Sequence, residues 1–123
     1  MNLRQIAITI FVSFLLACGQ LFTKMGLNKI DLSRYEIKNI VEIIGKIVTS
    51  GNMWLGVLFT LGSMVLWLKI LSEVNLSIAY PLISFSYVFG LILSVVVLGE
   101  NVPLARWGGV FVIIIGVYLI SRS

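Results

Sequence analysis

The stretch LSIAYPLISFSYVF, residues 76–89, sets one proline, two tyrosines and three serines inside an apolar run that continues to residue 98. A run of that length reads as a membrane-spanning helix, because a hydrocarbon core about 30 Å thick takes roughly 20 helical residues to cross. Tyr80, Ser84, Tyr87, Leu91 and Ser94 follow one another in steps of four, three, four and three, which places them in one stripe along a helix. Pro81 has no backbone N–H, so it predicts a kink and a freed carbonyl near Ser77. A hydroxyl stripe beside a kink suits the wall of a cavity. It equally suits packing, with each serine bonded back to the backbone or across to a neighbour.

Three further runs are long enough to span. The four expected spans cover residues 3–27, 53–71, 76–98 and 105–120. Composition agrees, since 59% of the 123 residues are hydrophobic and only 11% are charged, against roughly 25% charged in soluble domains. The mean hydropathy is +1.09. Helices are the expected form, because lipid-exposed backbone must satisfy its own hydrogen bonds and the alternation of barrel strands is absent. The chain therefore reads as an all-α membrane protein, one four-helix transmembrane domain over residues 1–123. Arg4 ahead of the apolar run 6–17 mimics a secretory signal, but Gln20 and Lys24 follow without a small-residue cleavage site, so the run is expected to remain as the first span.

The short links SEVN and GENVP make the second, third and fourth spans antiparallel neighbours. The link between the first and second spans is longer. In it, Ile37, Ile40, Val41, Ile44, Ile47 and Val48 recur at helical spacing among Glu36, Lys38, Glu42 and Lys46. That pattern predicts an amphipathic helix over residues 34–49, lying in the membrane interface, and Ser50-Gly51-Asn52 breaks the chain after it. Lys24, Lys29, Arg34, Lys38, Lys46 and Arg106 gather on the side of the first and third connections, with Arg4, Lys69 and Arg122 on the other. The positive-inside rule then puts the long connection in the cytoplasm.

The net charge of +4 comes from nine Lys and Arg against five Asp and Glu, and in a membrane chain it points to anionic lipid. No polar face interleaves aromatic and basic residues, so nucleic acid is not an expected partner. The single cysteine, Cys18, reads as a packing residue, and the absence of histidine leaves no His/Cys metal site. No base, nucleophile and oxyanion donors stand at a usable spacing, so neither enzyme activity nor a bound cofactor is expected.

Polar groups at membrane depth are the functional candidates, because placing them there is costly. Gln20 and Lys24 share one face a turn apart. Lys24 reads either as an interfacial anchor or as an anion-binding group. Lys69 follows Trp67 near the end of the second span, with Glu73 four residues on as a possible partner. In the fourth span Gly109 and Gly116 lie seven apart, on one face, and let another helix approach closely.

These residues resemble the small multidrug resistance superfamily over nearly the whole chain. The resemblance rests on GQLFTK at 19–24, LSIAYPLISFSYVF at 76–89, LGE at 98–100 and the glycine heptad of the fourth span. It implies four transmembrane helices of that type and a dimer through Gly109 and Gly116. Drug and guanidinium exporters of the superfamily carry a glutamate three residues before the first-span glycine. With Gly19 set against that glycine, Leu16 stands in its place, and a leucine cannot exchange protons for cations.

A nearer resemblance is to the paired small subunits proposed to flip 4-amino-4-deoxyarabinose-phosphoundecaprenol across the bacterial inner membrane. It is carried by the first-span GQL, by Trp67 to Leu71, by Ala79 to Ser84 and by Ser86 to Val88, and the long first connection fits the longer subunit. The resemblance implies a polyprenyl-phosphate-linked sugar as substrate, membrane lipids around it, and a homodimer or a heterodimer with a paralogous subunit. Within that frame Lys24, with Arg106 or Lys69, pairs with the phosphate; Gln20, Tyr80, Ser84 and Tyr87 bond the sugar; and Trp67 belongs to the aromatic and aliphatic faces that guide the prenyl chain. The alternatives are an exporter of a cation or metabolite on the same fold, and an accessory subunit that stabilises a partner.

Overall fold

The computed structural model describes residues 2–30 and 39–123. Six helices occur among them: α1 (Leu3–Ile30), α2 (Ile40–Thr49), α3 (Gly51–Glu73), α4 (Leu76–Leu82), α5 (Phe85–Val96) and α6 (Leu104–Arg122). Four segments are long and apolar enough to cross a membrane, namely α1, α3, α4 with α5, and α6.

The centre of the molecule is α1, which packs mainly against α3 and then against α5. Its contact with α3 is set by glycine. Gly19 and Gly56 face each other so closely that a Cβ on Gly56 would lie 2.9 Å from the Gly19 carbonyl oxygen. One turn beyond each glycine a threonine returns its hydroxyl to the glycine's own carbonyl, Thr23 Oγ1 to Gly19 O at 2.9 Å and Thr60 Oγ1 to Gly56 O at 2.8 Å. The two helices thus present the same Gly-x3-Thr face to each other, and each hydroxyl is satisfied within its own helix. Phe22 stacks on Phe59 beside this crossing, with ring centroids 5.3 Å apart. Two turns earlier on α1, Phe14 meets Phe89 of α5 edge to face, also at 5.3 Å.

The ends of the helices show how the chain turns. Gln5 near the start of α1 donates to Glu73 at the end of α3 (3.4 Å), and Lys69 pairs with the same carboxylate at 2.9 Å. The two helices are therefore antiparallel. Ser50 caps α3, its hydroxyl accepting the Met53 N–H. Gly99 closes the link after α5 with φ +67, a left-handed conformation that costs other residues about 1–2 kcal/mol. The Glu100 N–H then reaches back to the Ser94 carbonyl at 3.1 Å.

α3 and α6 run one or two residues past the expected ends, with Gly51 and Asn52 of the expected break already helical, and three larger differences remain. α1 runs on to Ile30, past residue 27, because Gly26 is packed against Met53 of α3 and holds the last turns in place. The interfacial helix is present over Ile40–Thr49, and the remainder of the expected segment, with Arg34, Glu36, Ile37 and Lys38, lies outside the described residues. Ile40, Val41, Ile44 and Val48 of α2 are exposed, which in a membrane interface gives them hydrocarbon to face. The Trp54 indole N–H donates to the Val48 carbonyl at 2.6 Å and ties α2 to the start of α3.

The third difference concerns 76–98, which is two helices. α4 stays helical through Pro81 to Leu82, and the break follows at Ile83 and Ser84. There the ladder tightens to three-residue steps: Ser84 N–H to Pro81 O, Ser86 N–H to Ile83 O and Tyr87 N–H to Ser84 O. The Ser84 hydroxyl also donates to the Pro81 carbonyl. α6 lies at the edge against α4 and α5, and Val117 is its one buried residue.

Candidate functional site

A cavity of about 590 Å³ lies between α1 and the broken third span. Leu16, Ala17 and Gln20 form its α1 wall. Tyr80, Pro81, Ile83, Ser84, Ser86, Tyr87, Gly90 and Leu91 form the other wall. The break lies within this wall, between the end of α4 at Leu82 and the start of α5 at Phe85. Buried Ser13 of α1 backs the break, with its hydroxyl 3.5 Å from the Ile83 carbonyl and 2.9 Å from that of Thr9.

A second, more apolar cavity of about 350 Å³ adjoins the first and is bounded by Val12, Leu16, Thr60, Ser63, Met64, Trp67, Tyr80 and Ile83. Leu16, Tyr80 and Ile83 belong to both. Tyr80 and Tyr87 are 66% and 64% exposed, so the larger cavity is open along its α4–α5 side. No Asp, Glu, Lys or Arg lines either cavity among the described residues.

Of the residues singled out in the sequence, Gln20, Tyr80, Pro81, Ser84 and Tyr87 come together in the larger cavity, and Trp67 reaches the smaller one beside Tyr80. Lys24 is exposed on α1, one turn (~6 Å) beyond Gln20, outside both walls. Lys69 is engaged with Glu73, and Arg106 is exposed at the start of α6. Gly109 and Gly116 face open space, with no atom within 4 Å of a Cβ built on either.

The serines of the stretch divide differently from the sequence reading. Ser84 spends its hydrogen on the Pro81 carbonyl and keeps only lone pairs for a ligand. Ser86, which the stripe excluded, is in the cavity wall with its hydroxyl unengaged by any described residue. The stripe's Tyr80, Ser84, Tyr87 and Leu91 all line the cavity, and Ile83, Ser86 and Gly90 form an adjacent row, so the wall is one row broader than the stripe. Gly90 was likewise without a signal in the sequence, since nothing in a lone glycine says whether it faces a neighbour or a cavity.

Four helices able to span a membrane, with a partly polar, open-sided cavity between the first and the third, describe a small multi-pass membrane protein. The EamA-like transporter family matches residues 9–122, and the chain belongs to that family. Membership places it among transporters rather than enzymes. It is similar to the probable 4-amino-4-deoxy-L-arabinose-phosphoundecaprenol flippase subunit ArnF of Proteus mirabilis, 32% identical over 115 residues, 90% of this chain and 86% of that one. It is also similar to probable flippase subunits ArnE of the same system. The Pseudomonas fluorescens subunit is 38% identical over 74 residues, 59% of this chain and 64% of its own. A Yersinia pseudotuberculosis subunit is 40% identical over 70 residues, 55% and 61% respectively. The chain thus spans less than two thirds of the length of these two ArnE subunits. No solved structure matches it.

Proposed function

We propose that the protein takes part in flipping a polyprenyl-phosphate-linked sugar, such as aminoarabinose on undecaprenyl phosphate, across the bacterial inner membrane. The observation that carries this reading is the pair of adjacent cavities, the second more apolar than the first, that share Tyr80, with the first open beside α4–α5. A lipid-linked sugar needs such a slot for its head group and a lateral exit for its tail. Gln20, Tyr80 and Tyr87 offer hydrogen bonds to sugar hydroxyls, and Ser84 offers acceptor lone pairs. Trp67 and its apolar neighbours guide the first part of the prenyl chain. Lys24, a turn outside the cavity, captures the phosphate at the membrane surface before the head group enters. Arg106 and Lys69, both exposed, belong to the same proposal only as surface cations.

Carboxylate-free walls speak against proton-coupled cation export, because Leu16 occupies the α1 wall where an exchanging acid would have to stand. The active unit is proposed to be a dimer, with itself or with a paralogous subunit, and rocking of helices around the cavity supplies alternating access.

The test is translocation of a labelled undecaprenyl-phosphate sugar in liposomes containing the purified protein, alone or with a paralogue. Translocation above protein-free liposomes, lost in Gln20→Leu, is the expected result. No translocation in either case, together with uptake of a quaternary ammonium compound, would overturn the reading.

A further inference from the structure

The α5 wall of the larger cavity holds two residues with no assigned role. Ser86 and Gly90 are four apart, so they sit one above the other on the same face of α5, and both line the cavity. The Ser86 hydroxyl makes no hydrogen bond to any described residue, unlike Ser84 and Ser94, whose hydroxyls return to the Pro81 and Leu91 carbonyls. A Cβ placed on Gly90 meets nothing within 4 Å.

A glycine inside a helix costs about 1 kcal/mol against alanine. In a membrane helix that cost is usually offset by close approach of a second backbone, and Gly19 and Gly56 are used in that way here. Gly90 has no such neighbour within the chain, and the space in front of it is the cavity itself. What its missing side chain supplies is room beside a free hydroxyl.

We propose that Ser86 and Gly90 form a notch that receives the sugar of the lipid-linked substrate, Ser86 by hydrogen bonding and Gly90 by limiting its size. The inference rests on the head-group reading of the cavity. Alanine at 90 shortens the notch by one methyl, and leucine fills it. A Cβ at 90 meets no existing atom, so Gly90→Ala leaves the packing of the chain as it is.

The experiment measures equilibrium binding of three probes to the protein in lipid nanodiscs: undecaprenyl phosphate alone, and undecaprenyl phosphate bearing one pentose or one hexose. Gly90→Leu is expected to weaken both sugar-bearing probes at least about tenfold and to leave the bare phosphate unchanged. Gly90→Ala weakens the hexose more than the pentose. Ser86→Ala weakens both sugar-bearing probes about fivefold, the worth of one hydrogen bond. Unchanged binding of all probes by Gly90→Leu and Ser86→Ala, while Gln20→Leu still loses the sugar-bearing ones, would overturn the notch and leave the head-group reading standing. Wild-type protein that binds all three probes alike would overturn both. Should Gly90→Leu fail to stay monodisperse, Ser86→Ala and Gly90→Ala decide the matter by the same criteria.

Discussion

At the scale of single residues, glycines with the same backbone do opposite work, and their surroundings tell them apart. Gly56 is enclosed by Gly19 and Thr23, whereas Gly62, six residues on, has nothing within 4 Å of a Cβ. Gly56→Leu is therefore expected to force α1 and α3 apart and to destabilise the protein by about 1–3 kcal/mol or more, with Gly62→Leu close to wild type. Reversible unfolding in mixed micelles measures both, and equal stability of the two variants would show that the helices do not cross at Gly56. Lys24 is a second residue-scale case. If it captures the substrate phosphate, Lys24→Ala lowers translocation while Lys24→Arg largely preserves it, because both cations pair with phosphate. A plain interfacial anchor would leave the rate of Lys24→Ala unchanged. Residue identity in the sequence identified Lys24, Gln20 and the tyrosines as polar groups at membrane depth. It could not tell Gly56 from Gly62, because that difference lies in which helix stands opposite.

At the scale of elements, the legible features were those that depend on local chemistry. Hydrophobic length announced the four spans, and the pattern of isoleucine, valine, glutamate and lysine announced α2. The division of the third span is also written locally in Pro81, but its position is not. Pro81 is tolerated inside α4, and the chain breaks two residues later, where three-residue hydrogen bonds and the Ser84 hydroxyl satisfy the carbonyls. The cavity wall takes in Ser86 and Gly90 beside Tyr87 and Leu91 of the expected stripe, a second row that the stripe alone does not include. Pro81→Ala restores a donor to the Ser77 carbonyl and removes the ring clash, so the third span should straighten. Stability is expected to rise, by no more than the ~3 kcal/mol that separates proline from alanine in a helix interior, while translocation falls as the cavity narrows. A variant that gained stability and kept full transport would mean that the break serves no purpose in the cycle. Ser84→Ala is the milder companion. The Ser84 N–H still reaches the Pro81 carbonyl at 3.1 Å, so the break persists and stability changes by about 1 kcal/mol or less.

At the scale of the whole molecule, the four spans are unequally enclosed. α1 is flanked by α3 and α5, but α6 packs mainly on α4 and α5 and buries Val117 alone. Its Gly108, Gly109 and Gly116 face open space, beside exposed Phe111, Val112, Ile115 and Leu119. Lipid tails would cover such a face without needing glycine, since a bilayer is as apolar as leucine and places no value on a smooth helix surface. A second helix does, because small residues two turns apart let backbones approach. The seven-residue step from Gly109 to Gly116 matches that requirement. Gly109→Leu and Gly116→Leu are therefore expected to shift dimer to monomer in bilayers by tenfold or more, without loss of the α1–α3 fold, since neither new side chain meets an atom of its own chain at Cβ. Single-molecule photobleaching in liposomes reads the oligomer, and thermal unfolding reads the fold. Translocation should fall in step with the dimer fraction. A dimer undiminished in both variants would move the contact to another face, and a monomer that still transports would remove the need for one.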